Sequence, residues 1–254
     1  MILVISPAKS LYEKAPILLE NYTSAYFLPE AEKIVTVMKK KKPAQLARLM
    51  DISPKLAELN FRRFQEWSLP FSPENSWQAV LMFNGDVYHG LKAETFTNTE
   101  FATAQDHLRI LSGVYGLLKP LDLIQPYRLE MGTAIGIARK KNLYEFWKTK
   151  ITSNLNQEMA ETGQKELINL ASNEYFGAID TKKIKARIIT PSFKEHQNGQ
   201  YQMISFFAKK ARGLMSRFII QNKITEPEEI KAFDLEGYFY NNQLSKNDNW
   251  VFTR

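Results

Sequence analysis

The chain has 254 residues, 44% hydrophobic and 24% charged, a balance that excludes disorder along its whole length and allows one large core or two small ones. It holds no cysteine and three histidines, which excludes disulfides, thiolate catalysis and cysteine-ligated zinc or iron–sulfur clusters; no metal and no other cofactor is expected. The formal charge is +7, spread as 12 basic and 11 acidic groups over residues 1–100, nine of each over 101–180, and 13 against 7 over 181–254.

The opening Met1-Ile-Leu-Val-Ile5 reads as a buried first strand rather than a secretion signal, so the cytoplasm is the expected location. Its apolar run, like every other in the chain, falls far short of the ~20 residues that span a bilayer, and no membrane partner is expected. Ser6 and Lys9 follow this strand, where α/β proteins often bind ligands. They are candidate anion ligands, with Ser6 as a turn residue before Pro7 the plain alternative.

Residues 30–67 read as a helical insert. Lys39 to Lys42 is a four-lysine run, Pro43 suits a first helical position, and Leu46, Leu49 and Met50 share one face. Ser53 then caps a second helix with Pro54 at its first position and Leu56, Leu59, Phe64 and Trp67 turned inward. The three-residue link 51–53, with Lys55, Arg62 and Arg63 beside it, resembles a helix-hairpin-helix, in which backbone N–H groups hold a phosphate. The link lacks the glycines usual there, and an ordinary αα-hairpin fits it equally.

Ala79 to Phe83 reads as a strand, and Asn84 to Gly90 as a tight turn or phosphate loop that matches neither the P-loop nor the dinucleotide fingerprint. Asp86 and His89 are too few to make a metal site. Thr97 to Glu100 is a capping box opening a helix with Phe101, Ala104, Leu108 and Leu111 on one side and Gly113 as its stop. Leu111 to Gly132 mixes glycine, proline and polar groups in a run too apolar for a surface loop, so it crosses the interior or lines a cleft. Within it, Asp122 and Glu130 are either a general acid/base pair or the partners of Lys119 and Arg128 in buried ion pairs. Leu167 to Ala171, Arg187 to Ile189 and Tyr201 to Phe207 read as further strands; Asn173 and Glu174 follow the first of them and either orient a ligand or end the strand.

Between 182 and 217 stand nine basic residues and one acid, Glu195, a candidate polyanion surface. Wound as a helix, Ala208, Ala211, Leu214, Met215, Phe218 and Ile219 fill one side. The other carries Lys209, Lys210, Arg212 and Arg217 around Gly213. A glycine within a helix costs about 1 kcal/mol relative to alanine, so something approaches this backbone closely: a phosphate, or another part of the same protein. The whole reads as a mixed α/β (α+β) fold, one compact domain over 1–254 with a mixed sheet flanked by helices and the insert at about 30–67.

Taken together, the chain resembles the bacterial YaaA family. The motifs that carry this are Ile5-Ser-Pro-Ala-Lys9, Gly85-Asp-Val-Tyr88, Leu108-Arg-Ile-Leu-Ser-Gly-Val-Tyr-Gly116, Pro120-Leu-Asp-Leu-Ile-Gln-Pro-Tyr-Arg-Leu-Glu-Met-Gly132, Asn169-Leu-Ala-Ser172, Ser205 to Phe218 and Glu236-Gly-Tyr-Phe239. The resemblance implies a cytoplasmic protein of the hydrogen peroxide response that keeps intracellular free iron low. It also implies DNA binding through a positively charged cleft in a mixed α/β fold with a helix-hairpin-helix.

On this reading DNA, double-stranded or branched, is the partner and no reaction is required. Lys209, Lys210, Arg212 and Arg217, with Lys9, Arg109 and Arg128, neutralise phosphates around Gly213, and Ser53, Lys55 and Arg62 hold the backbone at the hairpin. The rival reading is an enzyme for a small phosphorylated or nucleotide-like substrate, with Ser6, Lys9, Asp122, Arg128, Glu130 and Lys209 in one cleft. With so few histidines and no thiol, any effect on iron is expected to be indirect. The oligomeric state is left open, a monomer being the simplest form.

Overall fold

The computed structural model describes residues 1–17 and 19–254. After β1 (Ile2–Ile5), the short strands β2 (Ser10–Leu11) and β3 (Thr23–Ser24) lead to α1 (Leu28–Lys39), α2 (Pro43–Met50) and α3 (Pro54–Glu66). There follow β4 (Trp77–Gln78), the one-turn α4 (Ala79–Met82), β5 (Phe83–Asn84) and α5 (Asp86–Leu91). Helix α6 (Asn98–His107) runs directly into β6 (Leu108–Ser112), with β7 (Gly116–Leu118) and β8 (Asp122–Ile124) after it. The long α7 (Leu143–Thr162), β9 (Glu166–Leu170) and α8 (Asn173–Phe176) precede β10 (Arg187–Gln197), β11 (Gln200–Gln202), α9 (Ser205–Gln221), β12 (Phe239–Tyr240) and β13 (Asn249–Thr253).

The main sheet has the order β12-β13-β10-β9-β1-β6-β7, with β11 added to the far end of β10. Strands β6, β1, β9, β10 and β13 are mutually parallel, while β7 and β12 are antiparallel edges, so the sheet is mixed as expected. Every residue of β1 and β6 is buried, as both faces of a parallel sheet require. From β1 the chain goes first to β6 on one side and later to β9 on the other. The strand order therefore reverses beside β1, the position at which open α/β sheets form a crevice outside the carboxyl ends of their strands.

The insert is helical as read. Pro43 and Pro54 open α2 and α3, Gln45 Oε1 accepts from Lys42 N, and Ser53 Oγ accepts from Leu56 N at 3.4 Å. Its inward residues differ in part from expectation. Ala57, Asn60 and Phe64 are buried on α3, whereas Leu56 is exposed, one position off that stripe. Asn60 is satisfied within the helix by donating to Leu56 O.

Four elements depart from the sequence reading, and the first is Asn84 to Gly90, read as a tight turn or phosphate loop but wound from Asp86 as the helix α5. Ala79 to Met82 is a buried helical turn rather than a strand: a short apolar run alone does not separate the two. The 97–100 capping box forms, but the helix ends at His107, and Leu108 and Leu111 belong to β6, well before Gly113. Tyr201 to Phe207 is divided between β11 and the start of α9.

Candidate functional site

At the carboxyl end of β1, Ser6 Oγ accepts from Ser172 N at 2.9 Å and donates to Ser172 Oγ at 3.3 Å, joining the ends of β1 and β9 across the crevice. Tyr88, on α5, donates to Ser6 O. No carboxylate or imidazole contacts the Ser6 hydroxyl among the described residues, so it is built to hold a ligand or a turn rather than to act as an activated nucleophile. Beside it Lys9 Nζ and Arg128 Nη2 reach the same oxygen of Glu130, at 3.3 and 3.0 Å. The other Glu130 oxygen and Arg128 Nε are buried without a partner among the described residues. They border a cavity of about 10 Å³ between Pro7, Tyr127 and Tyr175, room for a single water. Burial pushes the Tyr88, Tyr127 and Tyr175 hydroxyls well above their ordinary range, so they stay protonated donors.

Asp122 is not part of this crevice. It lies with Arg109, Lys119 and Glu158 along a separate cavity of about 330 Å³. Thr23 Oγ1 donates to one Asp122 oxygen at 2.6 Å and Lys119 N to the other at 2.8 Å. Between the two alternatives read for Asp122 and Glu130, the structure gives each carboxylate separate partners: Thr23 and Lys119 N for Asp122, Lys9 and Arg128 for Glu130. Arg109 is also removed from the phosphate ligands. It is 3% exposed, grips Glu158 through Nε and Nη2, and donates to three backbone carbonyls. Burial raises the Glu158 carboxyl, but Arg109 and Lys119 more than offset this and hold it below the ordinary value.

On α9 the close approach at Gly213 comes from α5. A Cβ on Gly213 would stand 1.8 Å from Val87 O, and one on Gly90 2.2 Å from Lys210 O, so the two backbones touch and no phosphate enters there. Arg217 caps the end of α5, donating to Leu91 O, Lys92 O and Thr95 Oγ1, with its guanidinium over the Phe96 ring. Lys210 pairs with Glu236 at 2.5 Å. Two cations of the expected face remain. Lys209 is exposed, and Arg212 is half-buried with neither an ion pair nor a side-chain hydrogen bond among the described residues. Burial lowers the Arg212 pKa, which leaves a guanidinium still charged at neutral pH.

At the hairpin Ile52 N donates to Ala47 O and Leu56 N to Ser53 Oγ, so part of the amide set that a phosphate cradle needs is engaged within the turn. Lys55 and Arg62 are exposed. Arg63 pairs with Glu13 at 2.7 Å. His89 bonds Asn84, and Glu174 accepts from Gly132 N, so both fix local backbone or loop structure. The sequence does not single out Ser112, whose hydroxyl lies 2.6 Å from the Tyr127 hydroxyl, or Glu158; a serine closing a buried strand is the one signal that points to the former.

The family model described as peroxide stress protein YaaA matches residues 1–244. The chain is 53% identical to a UPF0246 protein of Colwellia psychrerythraea, over all of this chain and 99% of the other. It is 52% identical to a UPF0246 protein of Cellvibrio japonicus and 51% to one of Neisseria meningitidis serogroup B, each over all of this chain and 98% of the relative.

Proposed function

The chain belongs to the peroxide stress protein YaaA family, also named UPF0246, and from that premise we propose that it is a cytoplasmic protein of hydrogen peroxide defence that holds DNA by its phosphates without reading sequence. The observation that carries this is Arg212, a half-buried guanidinium on α9 with no carboxylate paired to it among the described residues, one turn from the exposed Lys209. A half-buried cation without a counter-charge carries a desolvation cost that an anion offsets, and a phosphate supplies that charge together with bidentate acceptors. Lys40, Lys42, Lys55 and Arg62 add exposed positive charge on the helical insert. Any effect on free iron is then indirect, since the chain offers no thiolate and only three histidines as ligands.

Reversing Lys209→Glu and Arg212→Glu is expected to weaken binding to all duplex sequences alike and to flatten the dependence of log affinity on log salt by about 1.8, at about 0.9 for each phosphate no longer neutralised. Unchanged affinity and slope in fluorescence anisotropy exclude this face.

A second reading rests on the Ser6–Ser172 contact at the strand-order reversal, where open α/β sheets take small ligands. The cavity there has room for only one water, so a small phosphorylated or nucleotide-like molecule would lie over it, on the exposed Lys9 and beside Arg128 and Glu130, with Asp122 on a separate cavity. Saturable thermal stabilisation by a nucleotide at micromolar concentration, lost in Lys9→Ala, supports it; a flat screen rejects it.

A further inference from the structure

Along β10 the odd positions Ile189, Pro191, Phe193 and Glu195 are buried, while Thr190, Ser192, Lys194 and His196 are half-buried to exposed on the opposite face. Register carries this second face across four strands. Tyr201 of β11 stands opposite His196, Thr253 of β13 opposite Lys194, and Phe239 of β12 opposite Thr253. Residues directly opposite in a sheet share a face, so Tyr201, His196, Lys194, Thr253 and Phe239 form one oblique row, in which Thr253 is buried beneath Asn241 and the other four are half-buried to exposed. Three strand spacings make it about 15 Å wide.

The row has an aromatic ring at each margin. Phe239 is 63% and Tyr201 42% exposed, and the Tyr201 ring lies 5.1 Å from the His196 imidazole. Between them are Lys194 and the imidazole, and none of the five residues of the row carries a carboxylate. The two rings are separated by polar groups, so they form no continuous apolar patch of the kind a protein partner buries. Rings on a sheet face with a lysine and an imidazole between them suit single-stranded nucleic acid, whose bases stack while its phosphates meet the ammonium and the ring N–H.

We propose that this outer face of β11-β10-β13-β12 binds unpaired nucleotides, with Tyr201 and Phe239 stacking on bases and Lys194 and His196 meeting the intervening phosphates. The proposal rests on the polyanion reading above and extends it from the duplex backbone to single strands and gaps. It uses residues remote in sequence from the Lys209–Arg212 pair and makes a different demand on the DNA: exposed bases.

The test is anisotropy with a labelled 20-residue oligothymidylate and a labelled 20-base-pair duplex, on the full chain and on Tyr201→Ala, Phe239→Ala and the double variant. Both side chains are exposed, so folding is expected to persist, and a thermal melt of each variant verifies it. Each single change is expected to weaken oligothymidylate binding about fivefold or more, with duplex affinity and both salt slopes unchanged. A folded double variant with wild-type affinity for the oligothymidylate overturns the proposal and leaves the rings to a protein partner. Equal losses on both probes overturn it as well. Wild-type protein that binds the duplex but not the oligothymidylate fails this inference alone, whereas binding of neither at low salt fails the polyanion reading with it.

Discussion

Asp122 is 3% exposed, and its burial outweighs the hydrogen bonds from Thr23 and Lys119 N and the charges of Lys119 and Arg109, raising its pKa from the ordinary 3.8 to about 6. Between these values the folded protein binds a proton that the unfolded chain has already released. Stability from this group is therefore present below about pH 4 and lost as pH rises through about 6, a change of order 3 kcal/mol. Urea unfolding of the wild type and Asp122→Asn at pH 4, 5, 6 and 7 is expected to show the wild type losing ground to the variant across that window. A constant difference rejects the shift. The sequence shows that Asp122 sits in a polar and apolar mixture, yet its partners, Thr23 and the Lys119 amide, depend on β3 lying beside β8, which local pattern does not disclose. Arg109 and Arg217 make the same point for cations. Composition identifies them as positive, and only tertiary structure shows that Glu158 and the end of α5 have claimed them.

At the scale of elements, the crossing of α5 and α9 is the contact that most tightly fixes the chain beside the crevice, because Gly90 and Gly213 let the two helix backbones meet. Gly213→Ala places a methyl group against Val87 O and Leu91 N, where no flexible side chain can yield. The expected cost is about 3 kcal/mol, read as a fall in Tm and in the urea midpoint, and it exceeds any gain in helix propensity. Retained stability would mean that the helices separate easily. The glycine in mid-helix did announce a close approach in the sequence, but its neighbour lies some 125 residues earlier, beyond the reach of any periodicity. Caps were more legible than runs. Thr97 with Glu100 and Ser53 with Pro54 mark helix starts by local hydrogen bonds, whereas Ala79–Phe83 and Tyr201–Phe207 are short apolar stretches whose conformation tertiary packing decides.

Over the whole molecule, the net charge of +7 does not resolve into one stripe. Internal pairs engage Lys9, Arg63, Arg109, Arg128, Lys210 and Arg254, and among the exposed or half-buried cations that remain, two groups stand on the helices read as DNA-binding. One is the first half of α9, with Lys209 and Arg212; the other is the insert, with Lys40, Lys42, Lys55 and Arg62 exposed. If one duplex runs over both, each element contributes its own counterion release and the contributions add. Reversal of Lys55 and Arg62 to Glu is then expected to reduce the salt slope by about 1.8, as reversal of Lys209 and Arg212 does, and the fourfold variant by about 3.6. Affinity at one salt concentration does not separate these cases, because charge reversal also repels DNA at a distance, but the slope counts the phosphates that the protein neutralises. A fourfold variant with the slope of the α9 double variant assigns the DNA contact to α9 alone and makes the insert's lysines a solvated surface.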